Sequence, residues 1–300
     1  MATVQPLAAQ SQAPAQSTPR SMGARFRALL QKREPFENVA AFDVFTARLV
    51  EAVGFPSIYL GSTGVAEFHG IPDWELHSPA DTIEYCAQIM GNVDLPAVID
   101  LDNGGDPLAL YRTVKELERL GAGAVHITDG VHAQSPGPTP LVPVNVMVDR
   151  IHAAADARSD LVVSVRCGAR NTESFDKAIE RTLAYAAAGA ETVWFLPMTF
   201  DDQARAATLV KIPITGQIFS DTPVGQAKTS SITVAVYASF VQNIAQSAVY
   251  DALTELKTTG TLVKASKGAR LGNTIPADVR ARVSRTAELT ALAKKYNTRQ

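Results

Sequence analysis

The sequence predicts an α/β fold of the TIM type, a (β/α)8 barrel with extra C-terminal helices. From Glu37 onward, eight short β-branched runs alternate with amphipathic helical patterns, the beat of repeated βα units around a parallel sheet. Most runs are apolar along their length and turn polar only at their carboxyl ends, at Asp43, Ser62, Asp100 with Asp102, Asp129, Arg166 and Gln217. In a barrel those ends share one rim, where the strand-to-helix loops build the active site. The competing doubly wound sheet is disfavoured. No G-x-G-x-x-G follows the first run, and the polar ends outnumber what a single switch point needs.

The first element is no element at all. Residues 1–20, "MATVQPLAAQSQAPAQSTPR", are rich in Ala, Gln, Ser and Pro and bury too little apolar surface to order themselves, so a disordered tail is expected. Residues 21–300 then form one barrel domain. Its strands are expected at "NVAAFD", "SIYLGS", "AVIDLD", "AVHITD", "LVVSVRCG", "TVWFLP", "PITGQIF" and "ITVAVYAS". Helices such as "LALYRTVKELERLG" and "ESFDKAIERTLAYAAAGA" lie between them, several ending in a Gly suited to the left-handed C-cap position. After the eighth run come a long helix, "FVQNIAQSAVYDALTELKTTG", and a helical extension from about residue 261. The last segment, "ADVRARVSRTAELTALAKKYNTRQ", has few large apolar residues. Alone it is marginal and must pack on something else.

Charge narrows the partners. With 28 basic and 30 acidic residues interspersed, net −2, the chain has no field that gathers nucleic acid or an anionic membrane surface, which leaves a small molecule as the expected partner. No apolar run reaches the roughly 18 to 20 residues of a membrane span. The two cysteines, Cys86 and Cys167, have no companions at zinc or disulfide spacing, which fits a reducing, cytoplasmic setting. Residues 1–33 lack acids and carry several Arg, a faint likeness to an organelle transit peptide.

The stretch "AVIDLDNGG" holds the most pointed chemistry. Period-two alternation places Asp100 and Asp102 on one face of their strand, with Leu101 on the other. Two carboxylates so placed repel unless a cation or hydrogen bonds intervene, and the Gly-Gly that follows lets backbone approach a ligand. A hard ion such as Mg²⁺, held by one or two carboxylates plus water and substrate oxygens, suits them. Helix capping or an ordinary turn is the alternative.

The surrounding motifs resemble the isocitrate lyase / phosphoenolpyruvate mutase superfamily. The likeness runs through "AAFDVFTARLVEAVGFPSIYLGSTGVAEFHGIPD", "LPAVIDLDNGGDPLALYRTVKELERLGAGAVHITDGV" and "VVSVRCGARNTESFDKAIERTLAYAAAGAETVWF", in the family's order, over roughly residues 37 to 200. It implies a Mg²⁺-dependent barrel enzyme, with Mn²⁺ as an alternative ion, that cleaves a C–C bond of a small 2-oxo or 2-hydroxy acid through an enolate. By position it implies Asp100 and Asp102 as metal residues, with Asp73 reaching the same ion through water, and Asp129 is the third metal candidate. Arg166, Asp73 of the "G-PD" motif and His132 become the catalytic candidates. Phe42, Ser62, Thr63, Gly64, Asp102, Arg166 and Gln217 become the substrate-binding ones. It further implies a homo-oligomer, a tetramer in which subunits exchange a C-terminal helix.

Three departures from the family pattern matter. The family's Glu-Asp pair reads Thr128-Asp129, so either Asp129 substitutes for the glutamate or the ion is held more weakly. Alternation sets those two residues on opposite faces. The mobile loop, which in lyases carries a catalytic Cys and in mutases a Lys and an Asn, reads "VHAQSPGPTPLVP" and has none of them. His132, Gln134 and Ser135 are its only groups that handle protons or hydrogen bonds. Third, Gly168 stands where the family has an acid. These changes argue against a true isocitrate or methylisocitrate lyase and favour an oxaloacetate-type decarboxylase or acylpyruvate-type hydrolase. P–C bond chemistry of the phosphonopyruvate type, and a recruited barrel that binds a carboxylate without family chemistry, are the alternatives. His69, His77, His126 and His152 lack metal-binding spacing, and Trp74 and Trp194 are expected in core or pocket wall. Trp194 and Phe195 are the residues placed to narrow the pocket mouth.

Overall fold

In the computed structural model, which describes residues 21–131, 139–196, 198–219, 222, 224–267 and 275–296, the β-branched runs become one closed barrel with its strands in sequence order. Helix α1 (Met22–Gln31) precedes β1 (Phe36–Ala40), α2 (Val44–Val53) and β2 (Ser57–Leu60). Then come α3 (Ser62–Phe68), α4 (Pro79–Met90), β3 (Ala97–Asp100), α5 (Pro107–Arg119) and β4 (Ala124–Thr128). The middle of the chain supplies α6 (Val144–Ala157), β5 (Val162–Cys167), α7 (Ala169–Thr172), α8 (Phe175–Ala187) and β6 (Thr192–Phe195). The barrel closes with α9 (Phe200–Leu209), β7 (Ile214–Gln217), α10 (Val224–Thr229) and β8 (Ile232–Tyr237), followed by α11 (Phe240–Thr259), α12 (Ala277–Val283) and α13 (Thr286–Lys295). The 1–20 tail lies outside the described residues.

All neighbouring strands pair in parallel, and β8 pairs with β1. The apolar composition of the strands follows from burial on both faces. Along β4, Val125 and Ile127 pack outward beneath the helices, while Ala124 joins the barrel interior with Tyr59, Val98, Val162 and Trp194. Helix α1 brings Phe26 and Leu30 to that interior cluster, and the Phe26 ring meets Phe36 edge-on at 5.7 Å. His126 sits fully inside, its Nδ1 2.9 Å from Ser164 Oγ, and burial pushes its pKa down to about 4. It is a neutral core histidine.

Local signals set where helices begin. Ser78 and Asp81 form a reciprocal capping box with Pro79 in the first turn of α4. Asp106 caps α5 ahead of Pro107, and Asp43, read as a polar strand end, caps α2 by accepting from the Thr46 N–H at 2.6 Å. Several strands stop a residue or two before their expected ends, β3 at Asp100. Beyond it Asp102 takes a left-handed backbone, φ +51°.

The C-terminal helices divide. Helix α12 docks on α2, with Val283 buried and Arg282 Nη1 donating to the Ala52 carbonyl at 3.1 Å. Helix α13 buries none of its residues, and α11 buries only Gln242 among those described. Among the described residues no helix is long and apolar enough to cross a membrane.

Candidate active site at the carboxyl ends of the strands

A small cavity of about 120 Å³ opens among the carboxyl ends of the strands. It is lined by Ser62, Thr63 and Gly64 after β2, Asp100 of β3, Arg166 of β5 and Gln217 of β7. Trp194 and Leu196 form part of its wall. Of the pair expected to narrow the mouth, Phe195 points the other way into the outer core. The first strand contributes Ala40, and Ala41 just beyond it also lines the cavity; Phe42, half-buried, follows. Gly64 is required for packing: a Cβ there would lie 2.6 Å from Tyr85 Oη of α4.

Arg166 reaches the cavity because Thr128 holds it. The β4–β5 register sets the two residues side by side, and Arg166 Nε donates to Thr128 Oγ1 at 3.1 Å. A neutral hydroxyl thus stands where the family has a carboxylate. It orients the guanidinium toward the cavity wall, where Arg166 lines the space beside Asp100.

Asp100 is fixed from two directions. Tyr59 Oη donates to Asp100 Oδ2 at 2.6 Å, and the Asp102 N–H donates to Asp100 Oδ1 at 3.0 Å. Burial, reinforced by the Asp100 charge, holds the Tyr59 pKa well above its usual value, so Tyr59 remains a donor. Its ring lies edge-on to Trp194 at 6.1 Å.

Asp102 faces a different neighbourhood from the one alternation implied. Because the strand ends at Asp100 and Asp102 is left-handed, the period of two no longer applies. The Asp102 carboxylate instead meets His77, with Oδ2 3.4 Å from Nε2, beside a second cavity of about 210 Å³. Asp73 joins them: ligand atoms of Asp73, His77 and Asp102 all lie within 4.8 Å of one another. The Ser62 and Thr63 hydroxyls, expected to bind substrate, donate to Asp73 Oδ2 at 3.3 and 2.7 Å. Their backbone N–H groups lie in the first turn of α3, whose N-cap Gly61 offers no side-chain cap, and helix geometry gives such groups no intrahelical acceptor. Burial lifts the Asp102 pKa to about 6, with Asp100 and Asp73 adding to the rise and His77 opposing it. The His77 pKa is raised in turn, chiefly by Asp102 and against its own burial.

One expected participant lies elsewhere. Asp129 does not reach these acids: fully buried, it accepts from the Gly168 N–H and from Tyr185 Oη, both at 2.9 Å, with Arg181 Nη1 at 3.9 Å. Alternation turned it outward while Thr128 took the inner face, so it serves as a structural anchor. Asp129→Ala is expected to lower unfolding free energy by about 3 kcal/mol and to leave metal affinity unchanged, as denaturant unfolding and calorimetric titration would measure. His132, with Gln134 and Ser135, lies outside the described residues. Cys86 and Cys167 are buried with their thiol pKa values pushed up, which fits packing rather than nucleophilic chemistry. Trp74 is 54% exposed rather than in a core or wall.

Sequence reasoning missed His77, Tyr59 and Thr128 as site residues. His77 follows Asp73 by four positions in an irregular segment where no periodicity predicts a shared site. Only Asp73 offered a signal. Tyr59 was legible as an inward strand residue one strand away from Asp100, though its partner was not.

A closed parallel barrel with acids, an imidazole and a guanidinium at its carboxyl rim defines a (β/α)8 protein built to receive a small anion. The chain belongs to the phosphoenolpyruvate phosphomutase family, whose model matches residues 26–257. It is 37% identical to a 2-methylisocitrate lyase of Shewanella oneidensis over 202 residues, 65% of this chain and 69% of that one. The Escherichia coli 2-methylisocitrate lyase is 34% identical over 252 residues, 78% of this chain and 84% of its own length. Solved structures share the fold. An oxaloacetate acetylhydrolase bound to 3,3-difluorooxalacetate superposes with TM-score 0.82 at 22% identity, covering 92% of this chain and 97% of its own. A phosphonopyruvate hydrolase bound to oxalate and Mg²⁺ gives 0.81 at 21%, covering 92% and 99%.

Proposed function

We propose that this chain cleaves a carbon–carbon bond in a small 2-oxo or 2-hydroxy carboxylate in a reaction that needs a divalent cation, as a decarboxylase or C–C hydrolase rather than a methylisocitrate lyase. The observation that carries this reading is the convergence of Arg166, Asp100 and the α3 amino terminus on a cavity of about 120 Å³, beside the Asp73, His77 and Asp102 cluster. So small a space accepts a pyruvate- or oxalate-sized fragment. The relatives named as 2-methylisocitrate lyases, and the hydrolases of similar fold, support a small acid as ligand. The stretch "VHAQSPGPTPLVP", without Cys, Lys or Asn, separates the sequence from the lyase and mutase patterns.

The donor set fits a cation. Asp73 Oδ1 and His77 Nε2 are buried with no hydrogen-bond partner among the described residues, and the acids beside them need positive charge. Asp73 and Asp102 would hold the ion, with Asp100 alongside. When bound, such an ion supplies a Lewis acid for negative charge that develops on a substrate oxygen. The protein does the rest. Arg166, steadied by Thr128, pairs with the substrate carboxylate, and its planar fork fixes the orientation. The Ser62 and Thr63 N–H groups offer hydrogen bonds to an anionic oxygen. Trp194 and Leu196 exclude water on one side of the cavity, which strengthens each of these interactions.

A homo-oligomer, tetrameric by the family resemblance, is part of the proposal. Helix α11 leaves Val249, Leu253 and Leu256 exposed at i, i+4 and i+7, one apolar stripe awaiting a partner.

Oxaloacetate and a panel of 2-oxo and 2-hydroxy acids, incubated with the protein and either Mg²⁺, Mn²⁺ or chelator, test the reaction. Release of pyruvate or oxalate only with the metals is expected. No turnover of any acid, together with no thermal stabilisation by metal plus oxalate, would sink it.

A further inference from the structure

We propose that His77 is a nitrogen ligand of the cation site completed by Asp73 and Asp102, and that this nitrogen makes the site prefer a first-row transition ion to Mg²⁺. The inference rests on the reading that a divalent cation binds here, and it goes further by assigning a donor and a selectivity. The His77 side chain is only 6% exposed, yet its Nε2 has no hydrogen-bond partner among the described residues, and neither has Asp73 Oδ1. A buried imidazole nitrogen left in that state, aimed at two carboxylates, is costly unless something sits between them.

The other ring nitrogen explains how it is aimed. His77 Nδ1 lies 3.1 Å from Thr82 Oγ1 of α4, and Thr82 Oγ1 is placed to donate its own proton to the Ser78 carbonyl at 3.4 Å. Thr82 then accepts from Nδ1–H, which leaves the Nε2 lone pair facing Asp102 and Asp73. Metal-binding histidines are held in this way, with the distal nitrogen donating to a fixed oxygen so that tautomer and ring orientation are set. A plain ion pair explains the contact less well. His77 Nε2 and Asp102 Oδ2 are 3.4 Å apart, against about 2.7 to 2.9 Å for a charge-assisted hydrogen bond. Two atoms bound to one ion at about 2.1 Å each stand roughly 3.0 to 3.4 Å apart.

Selectivity follows from the donor type. Mg²⁺ is a hard ion that takes oxygen ligands and keeps its waters. Imidazole binds transition ions in rising order from Mn²⁺ through Fe²⁺ and Co²⁺. An aspartate–aspartate–histidine set therefore favours the transition ions, with Mn²⁺ as the probe.

The full-length chain, stripped with chelator, is titrated with Mn²⁺ and separately with Mg²⁺, and bound Mn²⁺ is examined by pulsed electron paramagnetic resonance for coupling to a directly bound imidazole nitrogen. Wild type is expected to show that coupling. His77→Gln is expected to lose it and to weaken Mn²⁺ binding about 100-fold with Mg²⁺ binding changed less than about threefold, while Thr82→Val keeps the coupling but weakens Mn²⁺ about tenfold. Circular dichroism establishes that each variant is folded, and Thr82→Val carries the test if His77→Gln is not. Bound Mn²⁺ without nitrogen coupling in wild type overturns the inference and leaves the proposed reaction standing. Failure of wild type to bind either ion overturns both.

Discussion

Asp102→Ala is expected to lower metal-dependent kcat/KM by about three orders of magnitude, equivalent to about 4 kcal/mol of transition-state stabilisation. Asp102 sits between the His77 imidazole and Asp100, whose Oδ1 takes the Asp102 N–H, so its removal strips the donor that joins the cation cluster to the substrate cavity. The fold should not suffer. Burial and the neighbouring acids raise the Asp102 pKa to about 6, so in the metal-free protein its charge opposes folding. The native state then holds the proton more tightly than the unfolded chain, and this contribution to stability falls as pH rises from about 4 through about 6. Metal-free wild type is expected to lose stability across that window relative to Asp102→Ala, as denaturant unfolding at pH 5 and pH 8 in chelator would measure. Parallel pH profiles for the two proteins would contradict the burial of an uncompensated carboxylate.

Arg166→Lys is expected to cost about 10² to 10³ in kcat/KM, with Mn²⁺ affinity nearly unchanged. Lysine keeps the charge but is a single point on a flexible stem. It cannot reproduce the planar fork that accepts orientation from Thr128 Oγ1 at 3.1 Å while facing the cavity. Steady-state kinetics beside a metal titration separates the effects. A variant with wild-type kcat/KM would mean that the carboxylate is bound elsewhere, and loss of Mn²⁺ binding would mean that Arg166 supports the acids rather than the substrate.

The barrel was legible because its strands are apolar on both faces and its polar residues gather at their carboxyl ends, a pattern that survives any local irregularity. Arg166, Asp100, Gln217 and the turn at Ser62 and Thr63 could be placed around one cavity from that pattern alone. Period two held just past the end of β4, where it placed Thr128 and Asp129 correctly on opposite faces, yet it misplaced Asp102, two residues beyond the end of β3 at Asp100, where the backbone turns left-handed. Asp129 drew attention as an acid beside a missing glutamate, but Tyr185 and the Gly168 N–H had already claimed it. His77 was passed over because its partners are brought to it by a loop, and loops have no period. The last helices read as marginal for want of apolar residues, and α13 buries none of its residues.

Growing crystals with Mn²⁺ and oxalate, and locating the ion by its anomalous scattering, tests most directly that the acid cluster and the arginine cavity work as one site. The ion is expected between Asp73, His77 and Asp102, with oxalate bridging from it to Arg166 and the Ser62 and Thr63 N–H groups. An ion bound away from these side chains, or oxalate seated without contact to Arg166, would contradict it.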